Sequence, residues 1–218
     1  MRTVRHHRAL PIDLHAAWET LETPEQVLVG NVGGGAVAEA LVRACRSRWG
    51  TEPIFARTAR HGQGVTVAYE RPERLGVDRW LALIAAHQVC AGPALVVDAG
   101  TAVTFDLLLA DGRHLGGLIV PGIGMMRDSL LSGTAIPPVE LEESGGPWAT
   151  DTASAIAAGS IQAPAALADR LCGRLAEEGA AVPELVITGG DAERLLPAIG
   201  RTALHIPDLV LRGLALLA

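Results

Sequence analysis

The feature that most constrains the fold of this chain is a series of three apolar segments between residues 94 and 120. Residues 94–98 and 103–109 have the composition of strands, and only Ala-Gly-Thr-Ala joins them. Asp111 and Gly112 then form a turn signal before a third apolar segment, residues 114–120. Because neither connection is long enough for a crossover helix, the sequence predicts an antiparallel meander.

The segments around the meander predict a mixed α/β protein. Residues 27–30 and 53–56 are predicted strands on either side of a helix over about 36–46, and this β-α-β order implies parallel strands. Residues 185–188 are a predicted strand that ends in a glycine turn. The remaining predicted helices cover about residues 13–21, 78–89 and 209–217, and the region up to residue 178 is mainly helical. Within that region Pro164 is expected to break or restart a helix.

Composition excludes several classes of protein. Apolar residues make up 49% of the 218-residue chain, yet no stretch approaches the roughly 20 apolar residues of a membrane span. A net charge of −6 argues against a nucleic-acid groove as the main site. The three cysteines are widely spaced without a Cys-x-x-Cys pair, which predicts free thiols. The N-terminus lacks the apolar segment of a signal peptide, so we expect a cytoplasmic protein without membrane partners.

The turn after the first meander strand is the first candidate site. Asp98 ends the strand, and Gly100 and Thr101 follow it in the turn. Glycine lets the backbone approach an anion closely, successive N–H groups can bind phosphate oxygens, and a carboxylate can hold a hard cation. The alternative interpretation is an ordinary hairpin, because this turn composition is common.

A second candidate site lies in the polar segment 69–79. Asp78, at the start of a predicted helix, can be a helix cap, and Arg79 beside it can be a surface residue. An alcohol nucleophile, however, needs a carboxylate to take its proton, and an anionic substrate needs a guanidinium. Two later positions carry similar alternatives. Thr152, next to Asp151, either belongs to a helix cap or contacts a substrate hydroxyl, and Gly189 and Gly190 either bind a nucleotide or precede a helix cap.

The order of these pieces resembles the type III pantothenate kinase family. The motifs are Tyr-x-x-Pro-x-x-Leu-Gly-x-Asp-Arg, Asp-x-Gly-Thr-Ala-x-Thr-x-Asp, Gly-Gly-x-Ile-x-Pro-Gly, Thr-Ala-x-Pro-Pro, Asp-Thr and Thr-Gly-Gly-Asp. Two residues, Asp151 and Pro164, differ slightly from the usual family pattern. The resemblance runs from about residue 27 to the C-terminus. It implies an actin-like α/β fold of two ribonuclease H-like half-domains with mixed sheets, residues 1–91 and 92–218, the first truncated at its N-terminus.

The same resemblance implies the activity and the roles of individual residues. ATP would phosphorylate the terminal hydroxyl of pantothenate, the first step toward coenzyme A, in a homodimer. Asp78 would be the general base, Asp98 would hold a monovalent cation (K⁺ or NH₄⁺), and Mg²⁺ would accompany ATP. The pantothenate site would comprise Tyr69, Gly76, Val77, Asp78, Arg79 and Thr152. The ATP site would comprise Gly100, Thr101, Gly189 and Gly190.

One family motif is not found in the printed sequence. Relatives of this kind open with a strand and a phosphate-binding turn of the form Asp-x-Gly-Asn-Thr, whereas the first aspartate here is Asp13, with no glycine or threonine beside it. Without that turn, we expect the chain as printed to be nearly inactive and marginally stable, with unpaired strand edges. Either a start codon assigned too far downstream or a degenerate member of the family would account for the missing motif.

Two other functions compete with this interpretation. The first is a non-catalytic regulator similar to Bvg accessory factors, which the retained Asp78, Arg79, Asp98 and Thr101 oppose. The second is a dinucleotide-binding protein that uses the glycines of residues 30–35. Their spacing differs from Gly-x-Gly-x-x-Gly, and no acidic residue ends a suitable second strand.

Overall fold

The computed structural model of the chain describes residues 18–136, 148–177 and 181–218. Helices and strands alternate over much of this length. The strands are β1 (Leu28–Val29), β2 (Ile54–Phe55), β3 (His61–Gly62), β4 (Val65–Thr66), β5 (Ala94–Ala99), β6 (Ala102–Leu108), β7 (His114–Pro121), β8 (Glu184–Thr188) and β9 (Ala203–His205). The α-helices are α1 (Gly35–Trp49), α2 (Val77–Val89), α3 (Ile123–Gly133), α4 (Thr152–Glu177), α5 (Ala192–Leu195) and α6 (Leu209–Ala215).

A five-stranded mixed sheet organises the second half of the chain, in the order β7-β6-β5-β8-β9. Strands β5, β6 and β7 form the antiparallel meander that the short connections predict. Strand β8 lies parallel to β5 on its other side, and β9 lies parallel to β8. The helical crossover between β7 and β8 makes this parallel pairing possible, because a hairpin can join only antiparallel neighbours.

Each face of this sheet carries its own hydrophobic core, because successive strand residues point to opposite faces. On one face, Val96 packs with residues of α2 and α6, among them Leu83 and Leu209. On the other face, Val97 and Phe105 pack with residues of α4 and α5. The first core combines residues from before and after residue 91, so helix α2 is built into the same core as the sheet. The division into domains 1–91 and 92–218 stays a prediction.

Two small strand pairs precede the sheet in the chain. Strands β1 and β2 pair in parallel on either side of α1, which confirms the predicted β-α-β order. Strands β3 and β4 form an antiparallel hairpin that the sequence pattern does not predict, because each strand is only two residues long. The predicted helix over 13–21 lies largely outside the described residues. The mixed α/β class and the meander are confirmed.

The prediction that Pro164 breaks a helix is wrong. Helix α4 runs from Thr152 to Glu177 with Pro164 inside it. Proline removes a single N–H donor from the helix and crowds the preceding turn. The buried packing of Ala157, Ala165 and Ala168 against neighbouring elements outweighs that local cost.

Candidate active site

Several turns meet at one end of the five-stranded sheet, where strands β5 and β8 finish. Since β5 and β8 are parallel, their carboxyl ends lie together, and Asp98 is paired with Thr188. The antiparallel strand β6 begins at the same end of the sheet, where Ala102 pairs with Pro121 at the end of β7. The two glycine turns singled out in the sequence, 100–101 and 189–190, are therefore brought side by side. The sheet topology, and no local pattern, produces this juxtaposition.

Backbone hydrogen bonds fasten these turns to one another. The N–H of Gly122 donates to the carbonyl of Thr101 (2.9 Å), and the N–H of Asp191 donates to the carbonyl of Ala99 (2.9 Å). Gly189 has a φ of +95°, and a Cβ there would overlap the carbonyl of Ala99 and lie 2.5 Å from Asp98 Oδ1. Only glycine fits both the conformation and the space. The backbone of these turns is therefore closely packed at this end of the sheet.

Asp98 is a largely buried acidic side chain at this end of the sheet. Its pKa is raised to about 6, first by burial and then by the negative charges of Asp78 and Asp106. A bound cation would relieve this accumulation of negative charge, since an opposite charge within a few ångströms favours the ionised carboxylate. The position of Asp98 therefore fits the cation-binding role that the sequence suggests. In the described ranges, no group of three or more His, Cys, Asp or Glu side chains could form a metal site by itself.

Asp78 lies in the first turn of α2, after the N-cap residue Gly76. Its Oδ1 accepts a hydrogen bond from the N–H of Arg79 (2.8 Å), and the side chain is half-buried. A carboxylate at this helix position is stabilised by the positive end of the helix dipole. Its negative charge is also one of the causes that raise the pKa of Asp98, 20 residues further along the chain.

Arg79 points into the protein and forms a buried ion pair. Its Nε donates to Asp106 Oδ2 at 2.7 Å and its Nη2 to Asp106 Oδ1 at 2.5 Å, the two-pronged geometry that guanidinium and carboxylate favour. The side chains are only 6% and 3% exposed. Burial alone would lower the pKa of Arg79, but its hydrogen bonds with Asp106 and the opposite charge outweigh burial and raise it.

Two further side chains complete this pair. His114 Nε2 lies 3.0 Å from Asp106 Oδ1, and Arg79 Nη1 donates to Tyr69 Oη at 3.1 Å. The rings of Tyr69 and His114 stack with centroids 6.2 Å apart. We call these four residues, Tyr69, Arg79, Asp106 and His114, the buried ion network. Burial alone would raise the pKa of Asp106, yet hydrogen bonds from His114 and Arg79 and the Arg79 charge hold that pKa below its usual range.

The roles of Asp106, His114 and Gly117 were not predicted from the sequence. There, Asp106 only ends one motif and Gly117 is only a member of another. A Cβ at Gly117 would overlap Asp106 Oδ1 and lie 2.6 Å from Arg79 Nη2, so its missing side chain makes room for the ion pair. One signal was available. Asp106 directly follows Phe105 in a buried strand, so it points to the opposite face and there needs a charged partner.

Thr152, Asp151 and Asp191 lie at or just before the starts of helices α4 and α5. Thr152 is exposed at the start of α4, and in the described part of the chain no hydrogen bond joins it to Tyr69 or Asp78. Asp151 accepts hydrogen bonds from the N–H and the hydroxyl of Ser154, at 2.9 and 2.7 Å, which is capping behaviour. Asp191, after the 189–190 turn, forms an ion pair with Arg194 (2.8 Å).

The structure thus brings Asp98 and the glycine turns together at the carboxyl end of β5 and β8. Arg79, which follows Asp78 at the start of α2, belongs to the buried ion network. Backbone N–H groups, a cation-compatible carboxylate and a potential base are the groups that phosphoryl transfer requires. None of the helices in the described ranges is long and apolar enough to cross a membrane.

Comparison with known proteins defines the class and then the family. A protein described as a Baf family transcriptional activator from Campylobacter jejuni superimposes with a TM-score of 0.56 at 23% identity, covering 94% of this chain and 86% of that one. The chain accordingly has the actin-like ATPase type of fold.

Sequence relatives are more specific. The profile of the type III pantothenate kinase family matches residues 3–174. A type III pantothenate kinase of Nitrosococcus oceani is 42% identical over 211 residues, which cover 94% of this chain and 79% of that protein. One from Alkalilimnicola ehrlichii is 39% identical over 209 residues, covering 95% and 84%. The chain belongs to the type III pantothenate kinase family.

Proposed function

We propose that this protein transfers the γ-phosphoryl group of ATP to the terminal hydroxyl of pantothenate, the first step toward coenzyme A. The observation that carries the proposal is the position of Asp78. Its negative charge, at the first turn of α2, helps to raise the pKa of Asp98, which lies near the end of β5 beside the two glycine turns at the carboxyl end of the sheet. Family membership supports the same reaction.

On the acceptor side, Asp78 takes the proton of the attacking hydroxyl. It is held in the first turn of α2, so the helix positions it without a flexible connection. Tyr69, Gly76, Val77 and Arg79 belong to the same chain segment and would form the pantothenate pocket. Fixed geometry of this kind contributes to catalysis because the reacting oxygen is oriented before transfer.

On the phosphate side, the two glycine turns would bind the phosphates. The N–H of Gly100 already donates to the carbonyl of Ala102 (3.0 Å), so other groups of the turns would contact the phosphate oxygens. The two turns lie at the same end of the sheet, one with Gly100 and Thr101 and the other with Gly189 and Gly190. Thr101 is exposed, so its hydroxyl is available to phosphate oxygens. Asp98 would hold a monovalent cation, and Mg²⁺ would accompany ATP. A cation there would offset negative charge on the phosphates.

The proposed assembly is a homodimer in the cytoplasm. The exposed position of Thr152, without a hydrogen bond to the acceptor residues in the described part of its own chain, fits a residue that completes the pantothenate site of a second copy. Sedimentation equilibrium with and without pantothenate tests this assembly. A monomer at concentrations that sustain turnover would contradict it.

The function is tested by ADP release and by calorimetric binding of pantothenate. We expect ADP release that depends on pantothenate and direct binding of pantothenate. Binding is measured separately because it tests the acceptor side of the site by itself. A protein that neither binds pantothenate nor releases ADP would instead support the regulator similar to Bvg accessory factors.

A further inference from the structure

We propose that His114, acting through Asp106, is a positioning residue that holds Arg79 and Tyr69 in the geometry needed to bind the acceptor substrate. This inference rests on the proposed function and adds two residues, His114 and Asp106, to the acceptor side of the site. Neither is expected to touch pantothenate itself.

The contacts of His114 determine what its ring does. The backbone N–H of Ala68 points at Nδ1 at 3.5 Å, and Nε2 faces Asp106 Oδ1 at 3.0 Å. A ring that accepts at Nδ1 carries its hydrogen on Nε2, so His114 donates to Asp106. With the side chain fully buried, water cannot replace that donor.

Asp106 passes this constraint to Arg79. Its Oδ1 accepts from both His114 Nε2 and Arg79 Nη2, while its Oδ2 accepts from Arg79 Nε. Three donors on two oxygens leave the carboxylate little freedom to rotate. The guanidinium plane is therefore fixed by the carboxylate, and the carboxylate is fixed by the histidine.

Arg79 in turn orients Tyr69. Arg79 Nη1 donates to Tyr69 Oη, so that oxygen is an acceptor on its inner side and keeps its own hydrogen for another partner. In the described residues, no hydrogen bond donated by Tyr69 Oη is found. Tyr69 also stacks on His114, so one histidine restrains both ends of the network. The phenol is thus a prepared donor at the acceptor pocket, directed by residues that lie behind it.

This arrangement changes the expected role of Arg79. The resemblance to the family implies a direct contact between Arg79 and pantothenate, whereas three of its five N–H groups are committed to Asp106 and Tyr69. Its main contribution is to orient Tyr69 in the proposed acceptor pocket. A residue that works through others should affect affinity for the acceptor more than affinity for ATP.

The test compares three variants by calorimetry with pantothenate and, separately, with the ATP analogue AMPPNP. His114→Phe keeps an aromatic ring against Tyr69 but removes the donor to Asp106. We expect its dissociation constant for pantothenate to rise about tenfold, the effect of losing a hydrogen bond to a charged group, with AMPPNP affinity unchanged. His114→Gln places an N–H near the position of Nε2 and should recover most of the affinity. His205→Phe, the same substitution on strand β9 at the opposite edge of the sheet, is the control.

The outcomes separate this inference from the proposed function. If wild-type protein binds pantothenate and His114→Phe binds it equally well, the positioning role is wrong and the function stands. Equal losses for pantothenate and AMPPNP would show a general structural role and would also overturn it. If wild-type protein does not bind pantothenate, both proposals fail. Should His114→Phe not fold, His114→Asn takes its place, because its shorter side chain does not reach Asp106 as glutamine does.

Discussion

The two sides of the site are built in different ways. The proposed phosphate side is made of backbone, with turns at residues 100–101 and 189–190 held by main-chain hydrogen bonds at the end of the sheet. The proposed acceptor side is made of side chains, with Asp78 next to Arg79 of the buried ion network. Backbone N–H groups suit an anion shared by all nucleotides, whereas a fixed set of side chains can distinguish one small acceptor from another. The comparison predicts that substitutions on the two sides fail for different reasons.

The largest effect is expected from Asp78→Asn. The amide keeps the size of the side chain but cannot accept the proton of the attacking hydroxyl. We expect turnover to fall by about 10²- to 10⁴-fold with little change in unfolding free energy. Steady-state ADP release and urea denaturation, run on the same preparations, measure the two quantities. Turnover near that of the wild-type protein would remove Asp78 from its role as base.

The next largest effect is expected on stability, when a buried charge loses its partner. Asp106→Leu leaves Arg79 buried and unpaired, and we expect it to destabilise the fold by about 3–5 kcal/mol. In the double variant Arg79→Met with Asp106→Leu, much of that stability should return, because no isolated charge remains. Glu52→Gln, which disrupts the exposed pair with Arg46, should cost less than about 1 kcal/mol. Equal losses for the two single variants would show that burial of the network is unimportant.

The raised pKa of Asp98 predicts how stability changes with pH when no cation is supplied. Its folded-state pKa of about 6 lies above that of an unfolded aspartate, so the folded protein binds the extra proton and loses stability as pH rises from about 4 to 6. The loss is at most about 3 kcal/mol. Asp98→Asn should abolish the slope in tetramethylammonium buffer. Measurements stay above pH 4, because the lowered pKa of Asp106 gives the opposite slope in more acidic solution.

Potassium sharpens the same measurement. A cation that binds only the folded protein stabilises it, so potassium should raise the unfolding free energy of the wild-type protein near pH 7. Asp98→Asn should not respond. An identical potassium response in both proteins would place the cation elsewhere.

The smallest effect separates two adjacent glycines of the phosphate side. Gly189 has a positive φ and abuts the carbonyl of Ala99, whereas a Cβ at Gly190 would meet no heavy atom of the described residues within 4 Å. Gly189→Ala should cost about 1–3 kcal/mol of stability from backbone strain alone. Gly190→Ala should leave stability nearly unchanged and, if the turn binds phosphate, weaken AMPPNP binding without affecting pantothenate. Similar denaturation midpoints for the two variants would contradict this difference.

Local patterns were sufficient for much of the fold. Apolar segments with turn residues between them predicted the meander of β5, β6 and β7, and helical spacing of apolar residues predicted α2 within a residue of its start. The hairpin of β3 and β4 was missed because two-residue strands carry no periodic signal. Pro164 was misread because its local penalty is opposed by packing along both sides of a long helix, and packing is not visible in a short window.

The candidate site divides in the same way. The sequence by itself determined which groups are present: Asp78 at a helix start, Asp98 at a strand end, and glycines in the turns that follow strands. Only the tertiary structure decided that the turns at 100–101 and 189–190 lie at the same end of the sheet, because the parallel pairing of β5 with β8 spans some 90 residues of chain. It also decided that Arg79 faces inward to Asp106 and His114. Both results depend on contacts between residues distant in sequence, and sequence spacing does not encode those distances.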